Sequence, residues 1–240
     1  MFVAHLHTHS CFSFMKGTAH PVELVKAAQK AGFSALGLTD TNGLYGGYIF
    51  YSACREAGIK PILGAEVVTD WGSITLIAEN ITGYANLSSL LTEAHLAVEY
   101  GETPIVSVKM LKKYSSNIFF LTGKSLFQLV EKGDIKNAEN WALYLKSISK
   151  KVFIELFMHS KKDFDTCRKL TALADRLKIS CVCTNDVCFI QKEDHLLQNV
   201  LSSAGHLTNV DRKTDDTASF AQYLKAPWEM SELFEDFPRA

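Results

Sequence analysis

The stretch 2-FVAHLHTHS-10 places His5, His7 and His9 at alternate positions near the start of the chain. The three residues before His5 and the single residue between His5 and His7 are apolar, and such a pattern is typical of a β-strand. Residues two apart on a strand point to the same side of the sheet, so His7, which ends the predicted strand FVAHLH, and His9 would point the same way. Imidazole is a common ligand of transition metals in proteins, and these nine residues therefore raise the hypothesis of a metal site.

Composition narrows the class of protein before any motif is considered. The 240 residues carry a net charge of −1 and 47% hydrophobic side chains, which fits a soluble globular chain. No apolar run approaches the ~20 residues that cross a bilayer, and histidines interrupt the only stretch where a signal peptide could lie. The near-neutral balance argues against autonomous DNA binding. Six scattered cysteines without a CxxC pair favour reduced thiols. We therefore expect a cytoplasmic protein with no membrane contact.

Strand-like and helix-like runs alternate along most of the chain. ALGLTD, KPILGAEVV and VFIELFMH indicate strands, and PVELVKAAQKAG and DFDTCRKLTALADRLK indicate helices. Alternation of this kind predicts an α/β fold with a parallel sheet, either open or closed into a barrel. The rhythm stops near Thr208. We therefore predict a barrel domain over residues 1–207 and an irregular tail over 208–240.

Ionisable side chains follow five of the predicted strands. The first strand leads into His7 and His9, and the later ones into Asp40, Glu66, His159 and Asp186. In parallel α/β folds the carboxyl ends of the strands form the face that carries the chemistry. Metals held there would bind a phosphoryl group and activate water. The alternative for Asp40 and Asp186 is that each carboxylate caps backbone amides of a turn.

Several longer motifs resemble one known family. These motifs are HLHTHSCFSFMKGTAHPVELV, ALGLTDTNGLYGGYIFY, AGIKPILGAEV, ENITGYANLSSLLTEAH, ELFMH and TNDV. They are similar to the PHP (polymerase and histidinol phosphatase) family, in particular to the amino-terminal domain of bacterial DNA polymerase III alpha subunits, replicative or error-prone. The late segment FAQYLKAPWEMSELFEDFP resembles the stretch through which these polymerases continue toward their palm.

The resemblance implies a distorted TIM-like (β/α)7 barrel. It also implies a three-metal cluster that supports phosphoester hydrolysis and, in some polymerases, 3′–5′ exonuclease activity. By their own chemistry, mixed histidine and carboxylate ligands suit Zn²⁺, Mn²⁺ or Fe, so a partial site would take Zn²⁺ or Mn²⁺. Carried over by position, five residues match the metal ligands of the family: His7, His9, Glu66, His159 and Asp186.

Four positions depart from the metal-binding pattern that the resemblance implies: Lys16, Thr41, Lys124 and Cys188. A lysine ammonium has no lone pair for a metal, and a threonine hydroxyl is a weak neutral ligand, whereas Cys188 could bind as a thiolate. The site could therefore hold a metal partially or not at all. Lys16 would then supply the missing positive charge to Glu66 or Asp186. The alternative is a solvated loop lysine. Asp40 and Lys16 are the candidate catalytic residues.

The sequence thus supports three functions. The leading one is an amino-terminal domain of a polymerase, itself a nucleotidyltransferase, with a degenerate metal site and a mainly structural role in DNA replication. Its expected partners are the rest of the polymerase chain (palm and fingers), a proofreading exonuclease subunit, and DNA only within the full polymerase. The alternatives are an active metal-dependent phosphoesterase or 3′–5′ exonuclease, and a free-standing enzyme similar to histidinol phosphatase.

Overall fold

The computed structural model describes residues 3–210 and 218–240, which form alternating helices and strands. The helices are α1 (Pro21–Lys30), α2 (Gly47–Ala57), α3 (Ile81–Leu96), α4 (Val108–Lys113), α5 (Gly123–Glu131), α6 (Ile135–Ile148), α7 (Asp163–Leu177), α8 (His195–Gly205) and α9 (Pro227–Leu233), with a 3₁₀ turn at Lys192–Asp194. The strands are β1 (Ala35–Leu38), β2 (Lys60–Thr69), β3 (Gly72–Ala78), β4 (Ile118–Leu121), β5 (Val152–Leu156) and β6 (Ser180–Cys183). The predicted α/β class is confirmed.

The six strands pair in chain order, and one of them reverses direction. β1 with β2, β4 with β5, and β5 with β6 are parallel, but β3 is antiparallel to both of its neighbours. The prediction of an all-parallel sheet was therefore wrong at β3. Thr69 pairs with Gly72, so only Asp70 and Trp71 connect β2 to β3. A parallel neighbour needs a crossover of a dozen or more residues, and so short a connection permits only a hairpin.

The chain divides into two compact units. The first comprises Met1–Leu63 and Asn185–Asp236, and the second comprises Gly64–Thr184 and Phe237–Ala240. The predicted boundary near residue 207 remains a prediction. The tail is more regular than expected, because it contains α9, which begins with Pro227 at its first position. Residues 211–217 of the predicted tail lie outside the described residues.

Local signals account for the helices of the first unit. α1 begins at Pro21 behind a capping box, in which Val22 donates to His20 Nδ1 and His20 donates its backbone N–H to Glu23. α2 ends at Gly58, which adopts a left-handed φ of 70° that glycine tolerates. The apolar faces of the two helices bury a core that includes Leu24, Val25, Leu36, Phe50 and Cys54.

The predicted first strand is not a continuous strand in the structure. Its backbone is bonded on both sides, but the only bridge in the described part of this segment joins Thr8 to Val187. Gly37 donates to His5 O and Thr39 donates to Thr8 O. A step of two residues from Gly37 to Thr39 therefore matches a step of three residues from His5 to Thr8. Such an extra residue interrupts a ladder as a bulge does. Gly37 allows this close approach, since a Cβ there would lie 2.9 Å from the His5 carbonyl oxygen.

The second unit is built on the β2–β6 pairings and a separate apolar core. Trp141 of α6 is buried, stacks between Trp71 and Tyr144, and donates its indole N–H to Ser125 at 3.1 Å. Among residues 3–210 and 218–240, no helix has both the length and the apolar character needed to cross a membrane.

Candidate metal centre

Asp186 is the acid around which the polar side chains of the first unit gather. It follows β6 in a turn, is fully buried, and adopts a left-handed φ of 46°, a conformation that aspartate tolerates better than most residues. Its Oδ1 lies 3.0 Å from His9 Nε2 and 3.4 Å from His7 Nε2. A buried carboxylate is costly unless it is paired, so these contacts are needed for the fold as well as for any chemistry.

A short parallel pairing brings the histidines to this acid. His9 donates its N–H to Val187 O at 2.8 Å, and Val187 donates to His7 O at 3.0 Å. The two imidazole rings lie on the same side of this pairing, with centroids 5.1 Å apart. The potential ligand atoms of His7, His9 and Asp186 all lie within 4.8 Å of one another. The structure therefore brings together three of the predicted metal ligands.

Lys16 also reaches this acid. Its Nζ lies 3.5 Å from Asp186 Oδ1, and its side chain is 20% exposed. The loop that carries Lys16 is tightly closed, since a Cβ at Gly17 would lie 2.0 Å from the Ser10 carbonyl oxygen. Of the two alternatives for Lys16, the geometry matches an ion pair with Asp186 rather than a solvated loop lysine.

Asp40 accepts hydrogen bonds from the loop that carries Lys16. It accepts hydrogen bonds from Ser10 N–H at 2.7 Å, Ser10 Oγ at 2.7 Å and Ser13 Oγ at 2.6 Å. These contacts correspond to the backbone-capping alternative for this aspartate. Asp40 and His9 share Ser13 as a hydrogen-bond partner, and a catalytic role for Asp40 remains a prediction.

Ser13 links Asp40 to His9. Its Oγ lies 2.9 Å from His9 Nδ1 and accepts the N–H of Thr41 at 3.0 Å. A serine has a single hydroxyl proton. Because this proton is directed to Asp40, His9 Nδ1 carries the hydrogen of its own contact with Ser13. This contact fixes the ring and leaves Nε2 facing Asp186, which is how outer hydrogen bonds orient a metal-binding histidine.

Thr41 and Cys188, which also depart from the metal-binding pattern of the family, lie in different surroundings from Lys16. Thr41 Oγ1 lies 3.5 Å from His9 Nδ1, on the side of the ring that faces away from Asp186. Cys188 is fully buried, and its Sγ donates to the backbone oxygen of Asp186 at 3.5 Å.

Three predicted site residues belong to the second unit. Glu66 is buried on β2, and His159 is half-buried after β5, where its backbone N–H donates to Asp163 at 2.8 Å. Lys124 lies in the first turn of α5. The roles of Glu66 and His159 as ligands remain predictions.

The sequence did not reveal the residues that the late part of the chain contributes. Gln222 Nε2 donates to Asp186 Oδ2 at 2.7 Å, and Asn185 Nδ2 donates to Tyr223 O at 2.7 Å. Lys225 donates to Asn185 Oδ1 at 2.9 Å, and burial lowers the pKa of Lys225 to about 8. The only available signal was the motif YLKAPW, whose resemblance concerns the exit from the domain and not its centre.

The donor set is chemically suitable for one divalent cation. Two imidazoles and a carboxylate match the preferences of Zn²⁺ and also suit Mn²⁺. Lys16 contacts the carboxylate oxygen that such a cation would use, so an ammonium and a metal ion would compete for Asp186. The same residues can therefore act as a cation site or as a closed ion-pair network.

Sequence comparisons point to polymerases. The chain is 30% identical over 250 residues to DNA polymerase III subunit alpha of Buchnera aphidicola, which covers 98% of this chain and 22% of that protein. The corresponding protein of Escherichia coli is 30% identical over 255 residues, with the same coverage. An error-prone DNA polymerase of Symbiobacterium thermophilum is 31% identical over 264 residues, covering 100% and 24%. The chain thus spans about a fifth of the length of these relatives.

Structural comparisons point to the same fold. A metal-dependent phosphoesterase from Bifidobacterium adolescentis superposes with a TM-score of 0.50 at 14% identity, covering 76% of this chain and 86% of that one. A two-domain protein from Bacteroides vulgatus that contains a PHP-like metal-dependent phosphoesterase gives a TM-score of 0.50 at 15% identity, covering 77% and 51%. These likenesses agree with the predicted distorted TIM-like barrel. The family model described as PHP domain matches residues 5–159, and the chain therefore belongs to the PHP domain family.

Proposed function

We propose that the chain is the amino-terminal PHP domain of a DNA polymerase III alpha-type polymerase, with a degenerate metal site and a mainly structural role in DNA replication. One observation carries the degenerate part of the proposal: the Lys16 ammonium lies 3.5 Å from the buried Asp186 carboxylate, beside His7 and His9. Lysine stands where active members of the family often carry a ligand, and here it supplies positive charge without a metal.

The ion-pair network gives this centre a structural purpose. Asp186 contacts the loop of Lys16 and the neighbouring segment of His7 and His9. It thereby joins the start of the chain to a residue 177 positions after His9. Breaking a buried ion pair by removing one partner is strongly destabilising, because the remaining charge stays buried. The network therefore stabilises the first unit in the absence of any bound cation.

The length of the relatives supports the proposal that this chain is one part of a longer polymerase. They are about four to five times longer than this chain, so the partners we propose are the rest of such a polymerase, its palm and fingers, and a proofreading exonuclease subunit. DNA would be bound only by the full polymerase, consistent with the net charge of −1. The domain over residues 1–207, the tail over 208–240 and a cytoplasmic location belong to the same proposal.

A second candidate is a metal-dependent phosphoesterase or 3′–5′ exonuclease. It is supported by the potential ligand group of His7, His9 and Asp186, and by the names of the structural neighbours. A Zn²⁺ or Mn²⁺ ion held there would polarise a phosphoester and activate water. His7, His9 and Asp186 would hold the ion, and Lys16 would have to leave Asp186. A free-standing enzyme similar to histidinol phosphatase would need the same site.

Metal analysis distinguishes these candidates. Protein purified without chelator should contain less than about a tenth of a Zn or Mn atom per chain, since a competent site binds tightly. The same preparation should not hydrolyse a chromogenic phosphoester or the 3′ end of single-stranded DNA. Stoichiometric metal and hydrolysis, both lost in His9→Ala, would overturn the degenerate site in favour of the enzyme. Lys113→Met, which removes a surface lysine away from the site, serves as the control and should leave metal content and hydrolysis unchanged.

A further inference from the structure

We infer that Gln222, contributed by the late part of the chain, is a positioning residue that fixes the orientation of the Asp186 carboxylate toward His7, His9 and Lys16. Gln222 lies outside the stretch 5–159 that the family model matches. The inference rests on the proposed function in treating Asp186 as the acid of the centre. It does not depend on whether the centre holds a metal ion.

The side chain of Gln222 is committed to this position through every polar atom. Nε2 donates to Asp186 Oδ2 at 2.7 Å and lies 3.0 Å from the Asp186 backbone oxygen. Nε2 also lies 3.6 Å from Cys188 Sγ, so the two N–H donors of this amide serve the two Asp186 oxygens and this sulfur. Oε1 accepts the backbone N–H of Ser219. The side chain is 4% exposed, and water does not readily replace these bonds.

The backbone around Gln222 is fixed independently of its side chain. We call residues Ala218–Ala226 the tail segment. Within it, Gln222 O accepts the N–H of Cys188 at 2.9 Å, and Leu224 N–H donates to Phe189 O at 3.0 Å. Asn185 Nδ2 donates to the carbonyls of Ala221 and Tyr223. The tail segment is thus bonded along the chain that surrounds Asp186, and the amide of Gln222 is delivered to a defined place.

The two carboxylate oxygens of Asp186 have different tasks. Oδ2 accepts the amide of Gln222, whereas Oδ1 faces His7 Nε2, His9 Nε2 and Lys16 Nζ. The terminal torsion of an aspartate is soft, so a carboxylate turns easily unless its oxygens are held. Removing the donor at Oδ2 would let the carboxylate rotate and change the contacts at Oδ1. Gln222 therefore acts on the centre through Asp186.

Histidine ring NMR tests this inference without a metal. Gln222→Met keeps the length of the side chain and removes both donors. In long-range ¹H–¹⁵N spectra of the whole chain, assigned with His7→Gln and His9→Gln, the ring nitrogens of His7 and His9 should shift relative to the unsubstituted protein. Gln222→Asn, which keeps the amide but is one methylene shorter, should shift the same resonances in the same direction.

Tyr223→Phe is the matched control, because it lies in the same tail segment and removes the hydroxyl that donates to Glu229. It should leave the His7 and His9 ring nitrogens in place. Unchanged ring resonances in a folded Gln222→Met protein would overturn the inference, and so would equal shifts in Tyr223→Phe. Failure of both Gln222 variants to fold would also overturn it, since Gln222 would then be a structural residue only. The proposed function is tested separately by the metal analysis, in which stoichiometric metal with hydrolysis would contradict a degenerate site.

Discussion

Two fully buried carboxylates, one in each unit, show how the same burial serves different purposes. Asp186 in the first unit faces the side chains of His7, His9 and Lys16. The partners of Glu155, on β5 of the second unit, include the Gly123 N–H at 3.1 Å and the Thr184 hydroxyl at 2.6 Å. Ionisable side chains hold Asp186 in a network of close charged contacts. Backbone and hydroxyl donors make Glu155 a connection between neighbouring strand ends.

The largest effect is expected from removing the charge of Asp186. Asp186→Asn keeps the shape of the side chain but leaves Lys16 and His9 without their acid. We expect a loss of about 3 kcal/mol in the free energy of unfolding, toward the lower end for a broken buried pair because Lys16 is partly exposed. Urea denaturation followed by circular dichroism measures it. An unchanged midpoint would show that Asp186 is not charged in the folded protein.

The next largest effect concerns Lys225, which is buried and donates to Asn185, the residue before Asp186. Burial lowers its pKa from 10.5 to about 8, so between these values the unfolded chain binds the proton that the folded protein has released. Stability relative to Lys225→Met should therefore rise as pH increases from 8 to 10.5, by up to about 3 kcal/mol at 1.4 kcal/mol per pKa unit. Urea midpoints of both proteins across this range measure the difference. A difference that is flat with pH contradicts the lowered pKa.

Glu155→Gln is the matched partner of Asp186→Asn, because both replace a buried carboxylate by an amide of the same shape. Glu155 has neutral hydrogen-bond donors among its partners, so the amide oxygen can still accept from Gly123. We expect a loss of about 1–2 kcal/mol in the free energy of unfolding, the usual cost of weakening buried hydrogen bonds. The measurement is the same urea titration. A loss as large as that of Asp186→Asn would remove the distinction between the two carboxylates.

The smallest effect is expected from Lys16→Met. The Lys16 side chain is 20% exposed and 3.5 Å from Asp186, so solvent screens part of the pair. We expect a loss of about 1 kcal/mol in the free energy of unfolding. Lys113→Met, which removes an exposed lysine paired with Glu93, should leave the unfolding midpoint unchanged. An unchanged unfolding midpoint in Lys16→Met as well would show that Lys16 is a solvated loop lysine and does not pair with Asp186.

Local signals made much of the fold predictable. The run PVELVKAAQKAG marked α1, which begins at Pro21, and apolar runs marked strands such as β1, β2 and β5. The direction of β3 was missed because an apolar pattern does not encode strand direction, although the short connection at Asp70 and Trp71 excludes a crossover.

At the site, sequence reasoning selected His7, His9, Lys16 and Asp186, and the structure brings these four together. It missed Gln222, whose contact with Asp186 spans 36 positions and follows no periodic pattern. It also missed Ser13, which is hydrogen-bonded to both His9 and Asp40. Side-chain hydrogen bonds between distant segments depend on tertiary placement, which spacing in the sequence does not reveal.

The discontinuity of the first unit sets an order of events during synthesis. His9 and its acid are separated by 177 positions, and nearly all of the second unit is encoded between them. At about 5–20 residues per second this interval takes roughly 9 to 35 seconds. The second unit is therefore the part of the nascent chain that can mature first, and the first unit closes only after Asp186 has left the ribosome.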